Sequence, residues 1–102
     1  MLRLEHHSAE KLKQELKDIV GRHLDLKFYD IFFFGSRVIG KGNAQSDIDV
    51  GIEGAKSVPA DALSNIKEEI ANLPILYKIE IVDFTNVSPD FKKVAKQKIE
   101  KI

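Results

Sequence analysis

The sequence predicts a small α/β (α+β) domain: a short mixed sheet of about three or four strands, helices packed on one face, and an open face carrying acidic side chains. Three observations predict it. Apolar residues recur at helical spacing in segments that open with capping residues. Between those segments lie short runs that are either continuously apolar or alternate with period two. The two kinds interleave as helix, strand, turn, strand, helix, strand, helix within 102 residues, a length that bounds the chain to one domain, 1–102.

The first helix is expected over residues 8–22. Ser8 offers an N-cap, Leu12, Leu16, Ile19 and Val20 form the stripe, and Gly21 lies at its end. Residues 23–26 turn the chain. Lys27 to Phe34 then reads as a strand, apolar on both sides towards its end, which suits a central strand. Phe32, Phe33 and Phe34 are expected in the core and not as base-stacking platforms. Residues 36–40 predict one helical turn. Ser46 to Glu53 predicts the second strand, with Ile48, Val50 and Ile52 on one side and Asp47, Asp49 and Gly51 on the other. Pro59 suits the first turn of the next helix, whose stripe is Leu63, Ile66, Ile70 and Leu73, with Pro74 ending it. Leu76 to Phe84 predicts a third strand. Ser88-Pro89-Asp90 is a helix start, and Phe91, Val94, Ala95, Ile99 and Ile102 predict a last helix running to the C-terminus.

Composition excludes several classes. Lys plus Arg and Asp plus Glu each total 16, so the formal charge is zero, which argues against a protein that coats nucleic acid. There is no cysteine, which removes disulfides and thiolate metal sites. No apolar run is long enough to span a membrane, and the first residues lack the apolar core of a signal peptide, so the expectation is a soluble cytoplasmic protein. His6, His7 and His23 have no ligand spacing and are expected in surface or packing roles. Lys92, Lys93, Lys96, Lys98 and Lys101 are expected on a solvated helix face.

The chemistry concentrates in Phe32 to Ile52, FFFGSRVIGKGNAQSDIDVGI. Carboxylates at i and i+2 of a strand, Asp47 and Asp49, share one side with origins roughly 6.5–7 Å apart. That spacing lets both reach one divalent cation or a pair of them. Gly35-Ser36, leaving a strand, presents backbone N–H groups and a hydroxyl to a phosphate. Metal ligands beside a phosphate cradle point to a nucleoside triphosphate. A third acid is needed for two metals. Glu80 has the parity of the open side of its strand, whereas Asp83 has the parity of the core and fits only if the strand has ended. Gly35 to Lys41 also spells GxxxxGK, but Gly42 stands where a phosphate-binding P-loop has Ser or Thr, and that reading leaves the two aspartates unexplained.

Gly35-Ser36, ten residues, then Asp47-Ile48-Asp49 resembles the GS…DxD signature of the DNA polymerase beta-like nucleotidyltransferase superfamily. GSRVIG…SDID is similar to the minimal nucleotidyltransferases in particular, and Ile79-Glu80-Ile81-Val82-Asp83 resembles their third-acid strand. The resemblance spans nearly the whole chain and implies the nucleotidyltransferase fold. It implies that Asp47, Asp49 and Glu80 are catalytic and hold two Mg²⁺ ions. It implies that Gly35, Ser36, Arg37, Lys41 and Ser46 line the site of an NTP, ATP in the first instance. The implied reaction is transfer of AMP to a hydroxyl. The implied partner is a small helical protein of the HEPN or substrate-binding type, and the implied role is antitoxin in a two-component pair, as part of a homo- or hetero-oligomer. Two positions depart from the pattern: Ile39 stands where many relatives have a second Arg, and Glu80 where Asp is common. Both favour the rival reading, a fold-alike binding module that neutralises its partner by contact alone.

Overall fold

The computed structural model describes Leu2, Leu4, residues 7–40 and residues 46–102. It contains helix α1 (Ala9–His23), strand β1 (Tyr29–Phe34), strand β2 (Ile48–Gly54), helix α2 (Ala60–Ala71), strand β3 (Ile79–Asp83), helix α3 (Pro89–Ala95) and strand β4 (Glu100–Lys101). The four strands form one mixed sheet in the order β3-β2-β1-β4. β1 runs antiparallel to β2 and β4, while β2 and β3 are parallel. A parallel pair needs a crossover, and α2 supplies it.

Local signals place the first elements where the sequence predicts them. The Ser8 hydroxyl accepts from the Lys11 N–H at 3.2 Å, closing the N-terminus of α1, and Glu10 and Arg22 lie at the ends that the helix dipole favours. Leu12, Leu16, Ile19 and Val20 are buried. Alternation in β2 sends Ile48, Val50 and Ile52 into the main core, where they meet Ile31, Phe33 and Ile81 and the buried residues of α1 and α2. Pro59 is the N-cap of α2, one residue ahead of its expected place, and the helix ends at Ala71, before Pro74.

The C-terminus departs from expectation. The last helix stops at Ala95, and Ile99 and Ile102 are not part of it. The chain instead extends into β4, pairing Glu100 with Phe33 and Lys101 with Phe32, and the Ile102 N–H donates to the Ile31 carbonyl at 3.0 Å. The cause is tertiary. Without β4 the outer edge of β1 would present a row of unmet backbone groups beside an apolar surface. The Glu100 carboxylate adds anchors, accepting from the Leu2 N–H at 2.5 Å and pairing with Lys13 at 2.9 Å.

Helices α1 and α2 share the main-core face of the sheet. On the opposite face Phe32, Phe34 and Phe84 form a second cluster with Val82, Val87, Ala95 and Ile99. Here α3 lies over the sheet, with the Phe91 ring 5.6 Å from Phe84 and 6.3 Å from Phe34. The acid-bearing face is therefore covered from Phe32 across Gly51 to Val82, where α3 and Phe84 lie over it. A Cβ at Gly51 would lie 2.5 Å from the Phe32 ring, so this cluster needs a glycine there. No helix among the described residues is long and apolar enough to cross a membrane.

Candidate active site

The site forms where β1 ends and β2 begins. Phe34 is the register partner of Asp49, so the next residue, Gly35, passes directly over the aspartate. Gly35 has φ +85°, and a Cβ there would stand 2.2 Å from Asp49 Oδ2. Both the left-handed backbone and the close approach demand glycine. The chain then closes a single turn: the Val38 and Ile39 N–H groups donate to the Gly35 carbonyl at 3.1 and 3.3 Å. Val38 is buried in the main core and fixes the turn, while Ser36 is half-buried beside it.

Asp47, Asp49 and Glu80 come from adjoining segments. Asp49 and Glu80 are register partners across the parallel β2–β3 pair and so share a face. Asp47 lies immediately ahead of β2. The Asp49 carboxyl is raised above its ordinary range, first by burial and then by the negative charges of Asp47 and Glu80. Glu80 is exposed and inclines to Lys78 at 3.7 Å. Among the described residues, no three acidic or histidine side chains are already gathered about one point.

Asp83 has a different occupation. It is paired with Ile52 on the main-core side. Its carboxylate accepts from the Val58 N–H at 3.0 Å, the Thr85 N–H at 3.0 Å and Asn86 Nδ2 at 3.1 Å. Those bonds organise the turn after β3 and the approach to α2, so Asp83 is a structural acid.

Arg37 leaves the turn and reaches back across the site's rim. Its Nε donates to the Ser46 carbonyl at 2.8 Å, and its guanidinium lies 4.8 Å from the centre of the Tyr77 ring. Tyr77 is the residue that sequence reasoning missed, since it is separated by forty positions from Arg37 and carries no motif of its own. Lys41 lies outside the described residues, as does His6. His7 pairs with Glu15 at 2.6 Å and His23 pairs with Glu69, both away from the acids. Lys92 and Lys96 pair with Glu53 at 3.1 and 2.5 Å. Beside Gly35 and Ser36 opens a groove of about 460 Å³ walled by Phe34, Ile39, Phe91 and Val94, the last three exposed.

The family described as Polymerase beta, Nucleotidyltransferase matches residues 14–102. The chain belongs to this family. A curated relative, a probable protein adenylyltransferase MntA of Haemophilus influenzae, is 28% identical over 69 residues, which are 68% of this chain and 60% of the relative. The chain thus spans less than two thirds of that protein's length. Among solved structures, a toxin–antitoxin complex with AMP-PNP superposes with a TM-score of 0.69 at 18% identity, over 87% of this nucleotidyltransferase-family chain and 70% of the other. A complex of tri-AMPylated Shewanella oneidensis HEPN toxin with MNT antitoxin gives 0.67 at 15% identity, over 90% and 69%. At those identities the superpositions establish the shared nucleotidyltransferase fold.

Proposed function

We propose that this chain is a Mg²⁺-dependent nucleotidyltransferase that moves AMP from ATP to a hydroxyl of a small helical HEPN-type partner, acting as the antitoxin of the pair. The observation that carries the reading is the contact of Gly35 with Asp49, because it sets a phosphate-binding turn against an acid in one site. Glu80, in register with Asp49, is the third acid in place of Asp83. The 1–102 domain, working in the cytoplasm, would carry the whole site.

Asp47, Asp49 and Glu80 would hold Mg²⁺, whose chemistry is to neutralise triphosphate charge and lower the pKa of the attacking hydroxyl. Mutual repulsion among these acids, felt at Asp49, is relieved by a bound cation and fits that donor set. The Gly35-Ser36 turn receives the β- and γ-phosphates through backbone N–H groups and the hydroxyl, and Arg37, Ser46 and Lys41 border the same space. The acceptor oxygen attacks the α-phosphorus. The new O–P bond forms as the bond to the bridging oxygen breaks, pyrophosphate leaves with that electron pair, and the hydroxyl proton is released. The exposed apolar groove beside the turn supports a protein acceptor, since such patches mark contact surfaces.

A binding module remains the second reading, favoured by Glu80 leaning to Lys78 and by Ile39 in place of Arg. Incubation of the chain with its HEPN-type partner, α-labelled ATP and Mg²⁺ separates the two. The enzyme reading expects label and an added AMP mass on the partner, abolished by Asp49→Asn. Tight partner binding with no transfer under several nucleotides and metals would establish the binding module.

A further inference from the structure

We propose that Tyr77 is a positioning residue for the nucleotide, acting through Arg37; the inference rests on the transferase reading above. Arg37 joins three pieces of the site. It belongs to the proposed phosphate turn, its Nε donates to the carbonyl of Ser46 next to Asp47, and its guanidinium carbon lies over the Tyr77 ring, 4.8 Å from the centroid and three residues before Glu80. Tyr77 is half-buried and packs against the main core, so its ring is a fixed platform. The strand it introduces is tied to β2 at the same level, where the Ile48 N–H donates to the Lys78 carbonyl at 2.9 Å.

The chemistry of the guanidinium gives this arrangement its consequence. Its faces stack on aromatic rings while its edge donates, and stacking leaves the donors in plane. The ring beneath the guanidinium carbon and the carbonyl on Nε together restrict the direction of the fork. A phosphate then meets an arginine already ordered, and the cost of immobilising a long side chain on binding is reduced. The same clasp holds the approaches to Asp47 and Glu80 at one spacing. Tyr77 therefore acts on nucleotide affinity through Arg37.

The test is calorimetric titration with AMP-PNP and Mg²⁺ on Tyr77→Leu, Tyr77→Phe, Arg37→Ala and the double variant Arg37→Ala/Tyr77→Leu, with melting temperatures recorded for each. Tyr77→Leu is expected to weaken nucleotide binding about 3- to 10-fold. Tyr77→Phe, which keeps the ring, stays within about 2-fold of the parent. In the Arg37→Ala background Tyr77→Leu has no further effect on affinity, whatever it does to melting. Equal losses in both backgrounds, or none in either, overturn the proposal and leave the transferase reading standing. A parent chain that binds no nucleotide sinks that reading and this proposal with it. Should Tyr77→Leu fail to fold, the Arg37 Nε–Hε resonance of the parent decides. A ring-current shift with slow solvent exchange supports the clasp, and a random-coil position with fast exchange refutes it.

Discussion

Among the described residues, two glycines of the turn after β1 have left-handed backbones, and one of them lies against an acid. Gly35 has φ +85° and Gly40 has φ +79°. A methyl group at 40 meets nothing within 4 Å, whereas at 35 it meets Asp49 Oδ2 at 2.2 Å and Cγ at 3.1 Å. Gly40→Ala therefore bears only the left-handed strain, about 1–2 kcal/mol. For a domain of this size that is a drop in melting temperature of roughly 4–16 °C. Gly35→Ala bears the same strain and in addition forces the Asp49 carboxylate from under the turn. A displacement of about 1 Å in a reacting group costs on the order of 100-fold in rate. The paired assay is thermal melting together with the proposed AMP transfer to a HEPN-type protein under Mg²⁺. Similar melting losses are expected, since Asp49 can swing out towards the open face, with transfer reduced roughly 100-fold in Gly35→Ala and only a few-fold in Gly40→Ala. Equal transfer rates in the two variants would refute the idea that Gly35 and Asp49 share one reacting centre.

Three other outcomes follow from the same geometry. The Asp49 carboxyl is raised above 3.8 by burial, Asp47 and Glu80, so the folded state binds the proton more tightly than the unfolded one. Its contribution to stability is present below 3.8 and lost as pH rises through the folded value. Asp49→Asn should therefore melt a few degrees higher than the parent at pH 7 in chelator, and Mg²⁺ should close that gap by stabilising the parent alone, by roughly 2–5 °C. Asp83→Ala removes the acceptor of three hydrogen bonds and should destabilise the fold by about 2–3 kcal/mol in urea while leaving nucleotide affinity intact. Glu80→Gln should do the reverse, and loss of transfer in Asp83→Ala at temperatures where it is folded would count against Glu80 as third acid. Glu53 is lowered below 4.5, chiefly by its hydrogen bond from Lys96 with a further one from Lys92. Its contribution is present above 4.5 and lost as pH falls through the folded value. Glu53→Gln should cost about 0.5–1 kcal/mol at pH 7 and nothing at low pH.

Which parts of this were legible in the sequence follows from the range of the interactions. The cap at Ser8, the alternation of β2 and the glycine at the end of β1 are local matters, and the chain states them. That Glu80, and not Asp83, shares the face of Asp49 was also legible as parity, because side chains on a strand alternate and β3 runs in register with β2. β4 was not. Lys96 to Ile102 carries helical spacing and lysines that suit a helix, and only the vacant edge of β1 turns it into a strand. The covering of the acid face by α3 was hidden for the same reason, since Phe91 meets Phe34 across more than fifty positions.

Asp49 is where the demands of fold and chemistry conflict. Burial under Gly35 raises the free energy of its charged form, and two neighbouring acids raise it further. A chain optimised for stability alone would place an apolar or neutral residue between Phe34 and Glu80. The sheet tolerates the acid because Val50 and Ile52 bury fully on the other side of the same strand and hold it in register. The unfavourable charge is then available to a ligand: a cation that neutralises Asp49 relieves the repulsion among these acids. On this argument, metal affinity should fall when Asp49 is made less crowded. Asp47→Asn removes both a proposed ligand and a source of repulsion, whereas a positive charge introduced opposite Glu80 removes repulsion alone. Lys78 already lies 3.7 Å from Glu80, so Lys78→Gln should increase the negative field at Asp49 and strengthen Mg²⁺ binding, modestly because the pair is exposed and screened. Mg²⁺ titration followed by melting temperature reads the change, and weaker binding in Lys78→Gln would refute the electrostatic account of this site.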